Sequence, residues 1–295
     1  MTVSQIRKQL IEQKDYDSID LPTNQTLNTI VNELGYKLKR VQKTKPLKKI
    51  TETNAIFENL TRFHEEIAND EEIVRLSIDA KDRVKIGEFS RDGKSRVNVK
   101  AADHDFCDQY VVPFGIMNVK TGTVDISIAE SKVTADYIVD RLEEHWIEND
   151  FQNGKALVLN ADNGPECNSR RTQFIKRMVD FAIKFDSIVY LAYYPPYHSK
   201  YNPIERVWGV LEQHWNGDLL DSTDAVVGFA SSMTYKGKNP EVSLISQVYE
   251  TGKTLPKKAM DIYEMALDRM DGIGKWFVKI DPSKCKAILD MELLV

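Results

Sequence analysis

The chain has 295 residues, 42% of them hydrophobic and 29% charged, with a formal net charge of −5. That length suits one large domain plus a small one, at roughly 100–200 residues per domain, and the composition is that of an ordinary globular protein. No apolar run approaches the ~18–20 residues that span a bilayer, and the opening MTVSQIRKQLIEQKDYDSID lacks an apolar signal-peptide core. The expectation is a cytoplasmic protein with no membrane partner. Cys107, Cys167 and Cys285 lie far apart without CxxC spacing, which argues against a disulfide framework or a zinc site and suits free thiols in a reducing compartment.

In chain order, SQIRKQLIEQ places Ile6, Leu10 and Ile11 on one helix face. LPTNQTLNTIVNELG follows with an N-cap at Thr23 or Asn24, apolar Leu27, Ile30, Val31 and Leu34 at helical spacing, and Gly35 as a stop. Two short helices with a polar turn resemble a helix-turn-helix, whose second helix enters the major groove. Asn24, Gln25, Asn28 and Thr29 could then read base edges or be ordinary exposed polar residues. Tyr36 to Ile50 carries Lys37, Lys39, Arg40, Lys43, Lys45, Lys48 and Lys49 and no acid. That charge asymmetry fits a phosphate-binding arm, or else a solvated linker. Residues 1–50 are therefore read as a DNA-binding segment and 51–70 as a connecting helix built on Ile56, Leu60, Phe63 and Ile67.

From residue 71 the pattern changes to that of an α/β domain running to 295. EEIVRLSID reads as a strand, RVKIGEFS as a second strand after a tight Lys81–Asp82 turn, and QYVVPFGIMNV and GTVDISIAE as two more. TADYIVDRLEEHWIEN is an amphipathic helix, KALVLNAD a buried strand, Arg171 to Phe185 a helix, DSIVYLAYYP a strand, and NPIERVWGVLEQHW a helix with Pro203 near its first turn. Strands alternating with helices imply a sheet covered by helices. DSTDAVVGFASSMTYKG looks helical, and the remainder is a mixed extension.

Three acids mark the element ends. Asp79 closes the first strand, Asp162 closes KALVLNA, and Glu205 opens the helix after YYPPYHSKYNP. Each alone fits a turn or cap residue. Together they fit a site for a hard divalent cation, because burying lone carboxylates is costly and Mg²⁺ or Mn²⁺ prefers oxygen ligands. In Asp162–Asn163–Gly164–Pro165 the glycine allows a sharp turn and the proline ends strand pairing. Glu205 lies at the positive end of a helix dipole. His198, Lys200 and Asn202 stand beside it, and Tyr193, Tyr194, Tyr197 and Tyr201 are either base-stacking or core aromatics.

The series LSIDAKDRVKIGEF, DHDF, VVPFGIMN, VLNADNG, YPPYHSKYNPIERVW and TGKTLPKK resembles the motifs of the ISAzo-thirteen-type insertion-sequence transposases, distant relatives of the mariner/Tc group. The likeness runs from about Leu21 to about Glu264. It implies a ribonuclease-H-like catalytic domain, with a mixed sheet flanked by helices, behind a small all-α helix-turn-helix segment. It implies that Asp79, Asp162 and Glu205 are the catalytic, metal-binding acids, with two Mg²⁺ or Mn²⁺ ions. Glu205 follows Asp162 by 43 residues, a spacing that suits this family better than the shorter mariner spacing.

Lys81 and the His104–Asp105–Phe106 run match family motifs without an assigned role. Lys81, His198, Lys200 and Asn202 are candidates to support the acids or touch phosphate. Asn24, Gln25, Asn28, Lys37, Lys39, Arg40 and Lys43 are candidates to bind DNA. The implied activity is metal-dependent cleavage and strand transfer of an insertion sequence. Its partners would be double-stranded element ends and target, bound by a homodimer associated with the nucleoid. The segment ahead of LPTNQTLNTIVNELGYKLKR is short for the family, so a truncated or domesticated DNA-binding protein is one alternative. A ribonuclease-H-like nuclease without strand transfer is the other.

Overall fold

The computed structural model describes residues 2–38, 48–95, 98–102 and 108–292. Lys39, Arg40, Lys43 and Lys45 of the basic stretch, Cys107 and the His104–Asp105–Phe106 run lie outside the described residues. The chain divides into two compact units, Met1–Lys45 and Pro46–Val295.

The first unit contains α1 (Val3–Lys14) and α2 (Asn24–Glu33). Thr2 and Gln5 form a reciprocal capping box on α1, and the Thr23 side chain accepts from Thr26 N–H to cap α2, each satisfying amides that a helix start leaves unpaired. Arg7 ties the turn by donating to Ser18 O at 2.7 Å and Pro22 O at 2.5 Å. Gly35 takes φ +90, and Gly35 N donates to Asn32 O while Tyr36 N donates to Val31 O. Those two bonds close a Schellman motif, which needs a left-handed residue at that position. Asn24, Gln25, Asn28 and Lys37 are all exposed.

The second unit opens with α3 (Thr53–Glu66), then β1 (Ile73–Ala80), β2 (Val84–Lys85), β3 (Tyr110–Asn118) and β4 (Val124–Ala129). Next come α4 (Ala135–Glu148), β5 (Ala156–Ala161), α5 (Thr172–Phe185), β6 (Ile188–Tyr193), α6 (Glu205–His214) and α7 (Thr223–Ser232). The tail holds β7 (Glu241–Ile245), α8 (Lys257–Met265), β8 (Leu267–Arg269), β9 (Phe277–Ile280) and α9 (Pro282–Glu292). Among the described residues the sheet has nine strands, ordered β7-β4-β3-β1-β5-β6-β9-β8, with β2 paired to β3. β1, β3 and β4 form an antiparallel meander, and β5 and β6 continue parallel to β1. An antiparallel meander joined at β1 to parallel crossover strands is the ribonuclease-H-like arrangement, a mixed α/β sheet flanked by helices.

Two parts of the sheet add detail to the sequence reading. RVKIGEFS holds only the two-residue β2, whose partner is β3 and not β1. The tail, read only as a mixed extension of the same domain, supplies strands to the sheet: β7 adds to one edge on β4, and β9 adds to the other on β6. Both sheet faces are covered, so central strands such as β5 are buried at every position, as expected for strands sandwiched between helices. On one face Leu76, Ile78, Leu157 and Leu159 pack against Tyr137 and Trp146 of α4 and Phe174 and Phe181 of α5. On the other, Met117, Ile126 and Ile128 pack against Val207, Trp208 and Leu211 of α6, and α3 lays Ile56 and Leu60 on Val158 and Ala192.

α4 and α5 are also joined by polar contacts. Arg177 of α5 donates to Asp136 at 3.1 Å, Asp140 at 2.7 Å and Glu143 at 3.3 Å. No described helix is long and apolar enough to cross a membrane.

Candidate active site

Alternation along β1 decides where its polar residues go. Leu76 and Ile78 face the α4–α5 core, so Ser77 and Asp79 emerge on the opposite face, towards α6. There Trp208 Nε1 donates to Asp79 Oδ2 at 2.8 Å. Asp79 pairs across the sheet with Gly115 of β3. A Cβ at Gly115 would come within 2.8 Å of the Trp208 ring and 2.9 Å of Ile204. The missing side chain is what lets the indole lie over β3 and reach the acid. We therefore expect Gly115→Ala to destabilise the fold by about 1–3 kcal/mol, the usual cost of overpacking, and to displace the indole from Asp79. A urea denaturation curve at the parent midpoint would contradict this.

Asp162 follows the last residue of β5 and accepts Gly164 N–H at 3.1 Å. The left-handed residue in this turn is Asn163, at φ +58, and not the glycine; asparagine tolerates that region better than most residues. Gly164 has a different task, since a Cβ there would sit 3.1 Å from the Asp162 carboxylate. The following loop is fixed by its own bonds and by the C-terminal hairpin. Ser169 N donates to Asn163 Oδ1, Ser169 Oγ donates to Lys275 O, and Arg269 Nη2 donates to Ser169 O at 2.8 Å. The late strands thereby support the loop that carries the second acid.

Glu205 begins α6, and the segment before it is bolted to β1. Ser77 Oγ donates to Asn202 Oδ1 at 2.5 Å, Asn202 Nδ2 donates to Ile78 O at 2.9 Å, and Ile204 N donates to Ser77 Oγ at 3.0 Å. Farther along α6, Glu212 pairs with Lys81 and accepts Trp215 Nε1 at 2.8 Å. Burial would raise the Glu212 carboxyl, but those donors outweigh it and hold the group below its ordinary range. Lys81 and Asn202 are thus supports for the helix that carries Glu205.

The three acids share a field. Burial first, then the charges of Asp162 and Glu205, push the Asp79 carboxyl up to about 7, against the pull of Trp208 and a backbone amide. A cavity beside Asp79 and Asp162 is lined also by Gly164, Cys167, Phe114 and Ile138. Burial pushes the Cys167 thiol up to about 12, so it stays protonated there. Among the described residues no three His, Cys, Asp or Glu side chains are already drawn into a metal cage. The donor set nonetheless fits a hard divalent cation: three carboxyl groups, all oxygen donors, one of them destabilised as an anion by burial and then by the other two, a penalty that an added cation would relieve.

A pH dependence follows. Asp79 titrates near 3.8 in the unfolded chain and near 7 in the fold, so its protonated form is the one that folding favours. The associated stability is complete below the lower value and lost as pH rises through the upper one. Relative to Asp79→Asn, the metal-free parent should lose thermal stability between those two pH values, and Mg²⁺ should restore it at the alkaline end because ion binding displaces the proton. Parallel melting curves for the two proteins would contradict this.

The other sequence candidates are placed less uniformly. His198 is buried, binds Pro196 O through Nδ1 at 2.8 Å and packs beside Phe57 and Tyr201. Asn202 is wholly buried, with its amide used inside the protein. Neither presents a surface to phosphate, so that part of the expectation is corrected. Lys200 is exposed, 5.3 Å from the Tyr201 ring centroid. Tyr193 and Tyr194 are core residues, whereas Tyr197 and Tyr201 are exposed. Ser77, Gly115, Ser169, Trp208 and Arg269 escaped the sequence reading. The one available signal was Trp208, three residues after Glu205 and so on the same helix face.

With this geometry in place, the family described as Rhodopirellula transposase DDE domain matches residues 1–282. The chain belongs to that family. No curated protein matches it. Among solved structures, the Mos1 transposase paired-end complex with left transposon end gives a TM-score of 0.45 at 15% identity, over 75% of this chain and 63% of that one. The Mos1 mariner paired end complex with Mn gives 0.45 at 13% identity, over 75% and 68%. The Mos1 paired end complex with Mg gives 0.43 at 14%, over 77% and 67%. The chain thus spans 63% of the length of the first of these proteins.

Proposed function

We propose that the protein is a DNA transposase that cleaves the ends of an insertion sequence and joins them to target DNA, with Asp79, Asp162 and Glu205 as its catalytic acids. This reading is supported by the raised Asp79 carboxyl, to which the charges of Asp162 and Glu205 contribute after burial, in a member of a transposase DDE-domain family. Asp79, Asp162 and Glu205 would hold two Mg²⁺ or Mn²⁺ ions through their oxygens. When bound, such ions supply Lewis-acid activation of an attacking oxygen and charge stabilisation of a leaving one.

The protein's own part is positioning. The Ser77–Asn202 bolt fixes Glu205 against β1, and the Arg269–Ser169 bonds fix the Asp162 loop. Asp79 would give up its proton as the site fills, because an added positive charge offsets the burial, and then the charges of Asp162 and Glu205, that raise its carboxyl. The two-helix unit, with Asn24, Gln25, Asn28 and Lys37 exposed, would bind duplex DNA, continuing into Lys39, Arg40 and Lys43. Because two element ends must be joined, a homodimer is the expected working form, and a DNA substrate implies a cytoplasmic, nucleoid-associated protein.

The test is a cleavage and joining assay with Mg²⁺ on duplexes carrying the terminal repeats that flank the gene. Strand nicks at the repeat end followed by joined products are expected. Nicking of any duplex without joined products would favour a plain nuclease, and specific binding without nicks would favour a DNA-binding protein alone.

A further inference from the structure

Asp79 also has a hydrogen-bond partner on the helix that carries Glu205. Trp208 lies one turn along α6 from Glu205, and its indole N–H is bonded to Asp79 on β1. One helix therefore carries the third acid and also grips the first. The grip is built in from both sides. Trp208 is 5% exposed, packed in the cluster with Ile204, Val207 and Leu211. Gly115, the cross-strand partner of Asp79, leaves open the space that the ring occupies.

We propose that Trp208 is a positioning residue that fixes the orientation of the Asp79 carboxylate and its separation from Glu205, so that the two acids meet a divalent cation as a preformed pair. This rests on the reading of Asp79 as a metal ligand. An indole is suited to the task. It is a donor only and carries no charge, so it neither competes for a cation as a ligand nor repels one as a lysine would. Its single bond takes one acceptor position on Oδ2, and with the Ala80 backbone amide also bonded the carboxylate keeps further lone pairs for the ion. Bonds of this kind to ligating carboxylates orient them, and their removal typically weakens metal binding by about 10–100-fold.

The experiment measures Mn²⁺ affinity of the full chain without DNA, from the electron paramagnetic resonance signal of the free ion. The parent, Trp208→Phe and Asp79→Asn are compared, with circular dichroism to confirm folding. Trp208→Phe keeps an apolar ring and loses the N–H, and should weaken Mn²⁺ binding by about 10–100-fold. Replacing Trp208 by benzothienylalanine keeps the bicyclic shape with sulfur in place of the N–H, and should weaken binding to the same extent. A role in packing alone would leave this second variant at parent affinity, which would overturn the proposal. Parent affinity in Trp208→Phe with weakened binding in Asp79→Asn would also overturn it, while leaving the metal site intact. Unchanged binding in Asp79→Asn would instead remove the metal-site reading beneath it.

Discussion

Asp162→Asn is expected to lower Mg²⁺-dependent strand cleavage by at least about 10³-fold while leaving the fold intact. The substitution is nearly isosteric, and the Gly164 N–H that the carboxylate accepts at 3.1 Å can still be accepted by an amide oxygen. What it removes is one negative charge among three. Metal-centred charge stabilisation is worth several kcal/mol in the transition state, and each ~1.4 kcal/mol is a factor of ten in rate. Asp79→Asn and Glu205→Gln should fall similarly, and the double variants should fall little further, since residues that act as a unit are not additive. Undiminished cleavage by Asp162→Asn would sink the assignment of that acid.

Asn202→Ala is expected to damage both stability and activity. Asn202 is wholly buried, accepts from Ser77 and donates to Ile78 O. Its loss would leave the Ser77 hydroxyl proton without its acceptor and the Ile78 carbonyl without this donor, at about 1–3 kcal/mol for each buried group left unsatisfied. A total of about 2–6 kcal/mol is expected in chemical denaturation. The same bonds hold the start of α6, so Glu205 should shift in whatever fraction remains folded. A misplacement of about 1 Å can cost roughly 10²-fold in rate. Full activity per folded molecule would show that the bolt stabilises the domain without positioning the acid.

How far the sequence revealed this arrangement depended on the range of each interaction. β1, β5, α5 and α6 were legible because their apolar periods are local, and so were the acids at their ends. The Thr23 cap and the Gly35 stop were legible for the same reason. β7 and β9 were not. EVSLI is a short edge strand with mostly exposed side chains, and FVKI has only four residues; each is a strand because a sheet edge is there to receive it. The supports of the site were hidden more deeply. Ser77 in a strand reads as an ordinary polar residue until Asn202, 125 positions away, is seen to bind it. Gly115 reads as a weak point in β3 until the Trp208 ring fills its place. His198 and Asn202 were candidates either to support the acids or to touch phosphate because they neighbour an acid in sequence, and packing turned both inward.

In the proposed function Asp79, Asp162 and Glu205 hold divalent cations. The most direct test is diffraction from crystals grown with Mn²⁺, recorded at the manganese absorption edge. Anomalous density bounded by oxygens of Asp79, Asp162 and Glu205, and lost in Asp162→Asn, is the expected result. Manganese bound elsewhere with these three carboxylates bare, at a concentration that supports strand cleavage, would contradict it.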